Sequence, residues 1–160
     1  MHASGPAQRY CRQGFSLIEL LIVLVIIGIL SSIAYPSFMG AIRKSRRADA
    51  VAALNRVQHA QERYRANNAS YAASVNTFVP PLPATSPDGH YAILISNPAN
   101  NPNSTYTVEA TAKSQSPQID DLQCRVLRIQ LNDLNGSMLY SSTNASNVTN
   151  QLPGNPCWVK

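Results

Sequence analysis

Charge is what this sequence has least of. Charged residues make up 13% of the 160, against roughly 25% in ordinary soluble domains. Most of the shortfall lies in the first forty residues. From Phe15 to Phe38 the only charged side chain is Glu19. Histidine is scarce too, and no CxxC or Cys/His cluster offers metal-ligand spacing. No HExxH, GxSxG, P-loop or dinucleotide fingerprint occurs. Those absences argue against an enzyme and call for no cofactor. His59 and His90 are isolated and read as surface residues. Asp120-Asp121 reads as a turn, because adjacent side chains rarely converge. A calcium loop over residues 131–142 fails, since Leu131 takes the first ligand position and Ser142 the last. The formal charge of +5 is too small by itself to argue nucleic-acid binding.

What is present is a long apolar run. Residues 17–34 are apolar apart from Glu19, about enough for a membrane-spanning helix. The run exceeds the 7–15 residues of a typical secretory h-region. An ordinary signal peptide is the rival reading, with Ser32-Ile33-Ala34 as its small-x-small cleavage site. On that reading Glu19 has no explanation, and a carboxylate in hydrocarbon costs about 2.5–3.5 kcal/mol. Orientation is ambiguous. Arg9 and Arg12 precede the run, while Arg43, Lys44, Arg46 and Arg47 follow it. A positive-inside count puts the C-terminal side in the cytoplasm. The Asn-, Ser-, Thr- and Pro-rich remainder suits an exported head. Cys124 and Cys157 form one disulfide if that head is exported, and are reduced core side chains if it is not. Closing that loop would stabilise the fold by about 3.5–4 kcal/mol.

The block "GFSLIELLIVLVIIGILSSIAYPSF" resembles the N-terminus of type IV pilins, the class III prepilin signal. The likeness rests on Gly14, Phe15, Glu19, Gly28, Pro36 and the "IAYPSF" ending. It implies that residues 1–14 are a leader, with Cys11 in it. A prepilin peptidase would cut between Gly14 and Phe15 on the cytoplasmic side and methylate the new amine of Phe15. It implies residence in the bacterial inner membrane before assembly and in an extracellular pilus afterwards, with the head facing outward. The expected partners are the lipid bilayer, other pilin subunits in a helical filament, the peptidase and the inner-membrane assembly machinery.

Glu19 then has three candidate partners. One is the Phe15 amine of its own chain, four residues away on one helix face. Another is the helix N-terminus, whose free N–H groups favour an anion. The third is the amine of a neighbouring subunit, the assembly role that the resemblance favours. Residues 15–38 are the membrane and assembly helix, and residues 39–67 continue it as an amphipathic stem. Val51, Leu54, Val57, Gln61 and Tyr64 recur at three- and four-residue spacing on the stem. Pro36 lacks an N–H and is expected to bend the helix. In filaments of this family the stretch from the matching Gly28 to Pro36 tends to unwind.

Residues 68–160 form the head. "PPLPATSPDG" is a loop by its breakers. Strand patterns follow at residues 90–96, 105–112, 125–131 and 138–141. They place Tyr91, Ile93 and Ile95, then Tyr106, Val108 and Ala110, then Leu127, Ile129 and Leu131 inward. Asn135-Gly136 signals a hairpin. The fold class is therefore α+β: a long N-terminal helix on a roughly four-stranded antiparallel sheet. The C-terminal region would be closed by Cys124 and Cys157. "QERYRANNASYA", "YTVEATA", "DLQC" and the "CW" at Cys157 resemble the PilE-like minor pilins in particular.

Three functional readings follow. One is a structural subunit of a type IV pilus, a minor one, serving adhesion, motility or DNA uptake. Another is a secretion-system pseudopilin, disfavoured by the C-terminal cysteine pair and the failed calcium loop. The last is a DNA-binding competence pilin, with Arg125, Arg128 and Lys160 on the head as contacts. The cluster of Arg43, Lys44, Arg46 and Arg47 has several readings: lipid headgroups, DNA, a neighbour's acids, or plain solvated stem.

Overall fold

A computed structural model describes residues 14–97, 104–132, 135–151 and 154–158. Two units divide between Met39 and Gly40. One helix, α1, runs over Leu17–Arg65. It starts where the Ser16 carbonyl accepts from the N–H groups of Glu19 and Leu20. In the first unit its large apolar side chains from Leu17 to Phe38 lie exposed. The apolar window of α1 is long enough to cross a membrane and has none of its surface buried within the chain. The helix continues through Gly28 and Pro36 without interruption. Pro36 cannot donate to the Ser32 carbonyl, and Ser32 turns its own hydroxyl back onto the Ile29 carbonyl at 2.8 Å.

The second unit is built on the stem part of α1. Ala50, Ala53, Leu54, Val57, Ala60 and Gln61 are buried, at the helical spacing that the sequence suggests. Val51 and Tyr64 are half-buried and pack against that core. The helix stops at Arg65 because amides take over its last carbonyls. Asn67 Nδ2 donates to the Arg63 carbonyl and Asn68 Nδ2 to the Tyr64 carbonyl. Arg63 and Arg65 in the last turn also suit the negative end of the helix dipole.

The head is an antiparallel meander in the order β1-β2-β3-β4-β5. The strands are β1 (Tyr91–Ser96), β2 (Thr107–Ala112), β3 (Val126–Leu131), β4 (Met138–Thr143) and β5 (Thr149–Asn150). Alternation decides the faces of β1, β2 and β3. Tyr91, Ile93, Ile95, Val108, Ala110, Leu127, Ile129 and Leu131 are all buried in one core with the stem. β1 pairs with β2 through Ile93↔Ala110, and β2 with β3 through Ala110↔Leu127. Gly136, at φ 65°, closes the β3–β4 hairpin, where Asn132 N–H bonds the Ser137 carbonyl. The fifth strand was not expected. It has two residues and no apolar alternation, and the turn before it is held by Asn144 Oδ1, which accepts from Ser146 and Val148 N–H.

The free edge of β1 is partly covered. Thr85 bridges Ala92, Ile93 N–H bonds the Ala84 carbonyl, and Ser86 N–H bonds the Tyr91 carbonyl. Gly89 supplies the positive φ that this turn needs. Such pairing satisfies backbone groups that an open edge would leave exposed. Asp49 on α1 anchors the same turn by accepting from Asp88 N–H at 2.9 Å.

One buried ion pair joins the pieces. Arg47 on α1 meets Asp121 in a two-pronged contact, Nε to Oδ2 at 2.7 Å and Nη2 to Oδ1 at 3.0 Å. Its remaining Nη1 donates to the Pro156 carbonyl. Asp121 also accepts from Gln118 Nε2 at 2.9 Å and from Cys124 N–H at 3.3 Å. Gln118 in turn donates to the Arg43 carbonyl. The sequence left Arg47, one of four cations at the foot of the stem, open between lipid, DNA, a neighbour's acids and a solvated stem. Arg47 is buried instead, and its bonds explain why a charge tolerates that site. Asp121 sits just after a short 3-10 turn at Pro117–Asp120, as its sequence suggested. Burial pushes the nearby Tyr91 phenol well above its ordinary value. A further buried amide, Gln61, exchanges both its bonds with the backbone of Ala72 at 2.8 Å each.

Replacing one member of a buried pair leaves the other charge uncompensated, at about 3–5 kcal/mol. Asp121→Asn should therefore lower unfolding free energy by about that amount in denaturant titration. The double change Arg47→Met with Asp121→Leu should cost clearly less. Equal losses for the single and double variants would mean that packing, not charge pairing, sets the penalty.

Candidate functional site

The N-terminal segment is open. Gly14 is exposed, and a Cβ built on it meets nothing within 4 Å; the same holds for Gly28. Nothing within the described chain thus requires glycine at either place. Phe15 is 87% exposed, so an apolar ring stands largely uncovered by the described residues. Glu19 stands in the first turn of α1. Its carboxylate is exposed and has no side-chain hydrogen bond or ion pair among the described residues. The carboxylate is a lone acid among exposed apolar side chains.

The C-terminal closure is a disulfide between Cys124 and Cys157, with Cα atoms 5.5 Å apart and a sequence separation of 33. Both cysteines are buried. Asn155 holds the tail beside it. Its Oδ1 accepts from Cys157 N–H, and its Nδ2 donates to the Asn150 carbonyl and to Ser142 Oγ. Trp158 donates Nε1–H to the Ser141 carbonyl and meets Tyr140 edge-on at 5.0 Å. A shallow cleft opens here, lined by Gln123, Asn144, Val148, Thr149, Gln151 and Cys157. A second lies at the end of α1, with Arg63, Tyr64, Asn67, Phe78 and Val79 among its walls.

Of the candidate nucleic-acid contacts, Arg125 and Arg128 lie among the described residues, and each already has a partner. Arg128 lies on the outer sheet face and is tied to Glu109 Oε1 at 2.7 Å, both about a quarter exposed. Arg125 is half-buried and donates from Nη2 to the Ile119 carbonyl at 3.1 Å. Lys160 lies outside the described residues. Neither arginine is the well-exposed cation that the sequence suggested. The fully exposed arginines of the second unit are Arg56, Arg63 and Arg65 on the stem, and Arg65 rests over the Tyr71 ring at 5.7 Å. Their helical positions were legible; Arg65 in addition donates from Nη1 to the Asn68 carbonyl at 2.8 Å. Among the described residues no group of three or more His, Cys, Asp and Glu could hold a metal ion.

An exposed apolar helix with a lone acid near its start, leading into a disulfide-closed helix-on-meander head, is the arrangement of an N-methylated pilin. The prokaryotic N-terminal methylation motif matches residues 9–35. The model described as "Type IV minor pilin ComP, DNA uptake sequence receptor" matches residues 36–128, more than half of the chain, which therefore belongs to that family. Relatives include a type IV wide pilus major component, PilA4, of Thermus thermophilus. It is 39% identical over 62 residues, covering 39% of this chain and 47% of the relative. Type II secretion system core protein G of Pectobacterium carotovorum is 36% identical over 62 residues, covering 39% and 40%. The Escherichia coli core protein G is 35% identical over 60 residues, covering 38% and 41%. The chain thus spans less than half the length of these relatives.

Cys124→Ser should cost about 3.5–4 kcal/mol on the chain-entropy account of a loop this long. Denaturant unfolding with and without reductant checks it. Reductant should shift the parent and leave the variant unmoved. Both thiols reacting freely with alkylating agent in denatured, unreduced protein would remove the bond.

Proposed function

We propose that this chain is a minor subunit of a type IV pilus whose exported head binds DNA. Glu19 carries the assembly part of this reading. It is the sole charge between Phe15 and Phe38, and no described residue partners it. Cleavage after Gly14 would create a cationic amine at Phe15. A carboxylate and an amine on neighbouring subunits are each costly alone in an apolar setting, and each satisfies the other at the right axial offset. Identical helices stacked head to tail without closure give a filament. The open surroundings of Gly14 support access by a prepilin peptidase, which would also methylate Phe15. The membrane-length apolar run and the methylation motif fit anchoring in the inner membrane before assembly. With the disulfide formed, the head belongs on the oxidising, outer side.

DNA binding is favoured by the family description, in which a DNA uptake sequence receptor is named. Arg125, Arg128 and Lys160 remain the proposed phosphate contacts. Arg128 would exchange Glu109 for a phosphate oxygen, which sets the affinity low unless several contacts act together. A secretion pseudopilin is the alternative, supported by the likeness to core protein G. The match of the ComP model over residues 36–128, which takes in the stem, β1, β2 and the first half of β3, favours the pilus.

The mature chain should begin at Phe15, read by intact mass of membrane and pilus fractions; a start at Tyr35 would instead mean a secreted protein. Glu19→Gln should be inserted and cut normally yet be depleted from sheared pili. Glu19→Asp should fall between. Wild-type incorporation of Glu19→Gln would overturn the intersubunit role.

Each phosphate contact contributes about −0.9 to the slope of log affinity against log salt. Arg128→Gln should make that slope shallower by about one, and Glu109→Gln should tighten binding by freeing the arginine. Fluorescence anisotropy with a labelled duplex measures both. Slopes equal to that of the parent would remove Arg128 from the interface.

A further inference from the structure

The base of the stem holds three cations that nothing in the described chain neutralises. Arg43, Lys44 and Arg46 fall within four positions, and Arg47 beside them is consumed by Asp121. No side-chain hydrogen bond or ion pair satisfies any of the three. Arg43 and Arg46 are three residues apart on one helix face, where like charges repel. Arg46 is half-buried, and its Nη1 is shielded from water with no acceptor. Its Nε and Nη2 are not shielded in this way and have no acceptor among the described residues, so on those two atoms the guanidinium is open to an anion from outside. Lys44 is exposed next to it.

Position along the chain selects the anion. Arg43 comes five residues after Phe38, the last large apolar residue of the exposed run. Even fully extended, the residues from Phe38 to Lys44 reach no more than about 20 Å. Three cations tethered that close to a membrane segment lie within the field of an anionic leaflet, which fades over about a Debye length. DNA has no such reason to reach the foot of the stem.

We infer that Arg43, Lys44 and Arg46 bind the phosphate headgroup of an anionic phospholipid. The inference rests on residues 17–34 being a membrane segment. Arg46 would supply the planar donors, and Lys44 a mobile point charge. Such a site also answers the orientation problem. Cations on the outward flank, against the positive-inside tendency, are neutralised by lipid rather than drawn to the cytoplasm.

The test uses the full chain in nanodiscs of phosphatidylcholine, with and without phosphatidylglycerol, and counts retained lipid by native mass spectrometry. Phosphatidylglycerol should be retained in preference to phosphatidylcholine. Lys44→Gln, an exposed change that leaves the fold intact, should lower that preference about fivefold. The triple Gln variant should abolish it. Incorporation into nanodiscs reads the membrane segment separately, so failure to incorporate strikes that reading. Normal incorporation with no lipid preference overturns the present inference alone. Retention of soluble glycerol phosphate in equal measure would make this a free-phosphate site and overturn the lipid assignment. So would a triple variant that loses duplex DNA binding while keeping its phosphatidylglycerol preference.

Discussion

The Arg47–Asp121 pair is the interaction on which the head depends. It is the point where the stem, the 3-10 turn before β3, the disulfide and the C-terminal tail are bonded to one another. Hydrophobic burial is not directional. It would hold the stem on the sheet without choosing the stem's rotation or its axial position. A guanidinium matched to a carboxylate by two bonds is directional in both respects. A hydrophobic pair of similar volume could be as stabilising, so this pair is better read as selecting one docking of stem and head.

The covalent bond extends the same junction. Asp121 accepts from Cys124 N–H, and Arg47 donates to the carbonyl of Pro156, next to Cys157. Ion pair and disulfide therefore brace opposite sides of one closure. Such bracing matters for a tail poor in apolar residues. The last strand pairs through two residues only, and polar bonds from Asn155 and Trp158 do what a core cannot do there.

The residues that hold the head together are not the ones proposed for assembly. The groups that hold the head together are buried and fully bonded: Arg47, Asp121, Gln61, Gln118 Nε2 and the cystine. Those assigned to processing, filament contact and lipid are exposed or unpaired: Gly14, Phe15, Glu19, Lys44 and Arg46 Nη1. A residue that the fold leaves unsatisfied is available to a partner, and Glu19 is the clearest case because its apolar setting makes solvation a poor substitute.

The sequence by itself determined the apolar run, its lone acid, the stem, the four longer strands and the core face of β1 to β3. Each is local, carried by a period of 3.6 or 2 or by a charge on an apolar background. Glu19 stood out for that reason, whereas Gly14 and Phe15 were singled out only by the resemblance to type IV pilins; the Cys124–Cys157 pairing, expected on condition of export, is present as a disulfide. Tertiary structure alone decided what became of the arginines. Arg47 and Arg46 are neighbours in sequence, yet one is locked to an acid 74 residues away and the other has no acceptor. Arg128 is tied down by Glu109 because antiparallel register sets those two positions opposite each other. The fifth strand depends on a turn braced by Asn144 rather than on alternation. Whether a charge is free, paired or buried is a property of its three-dimensional neighbours, and no periodicity along the chain records them.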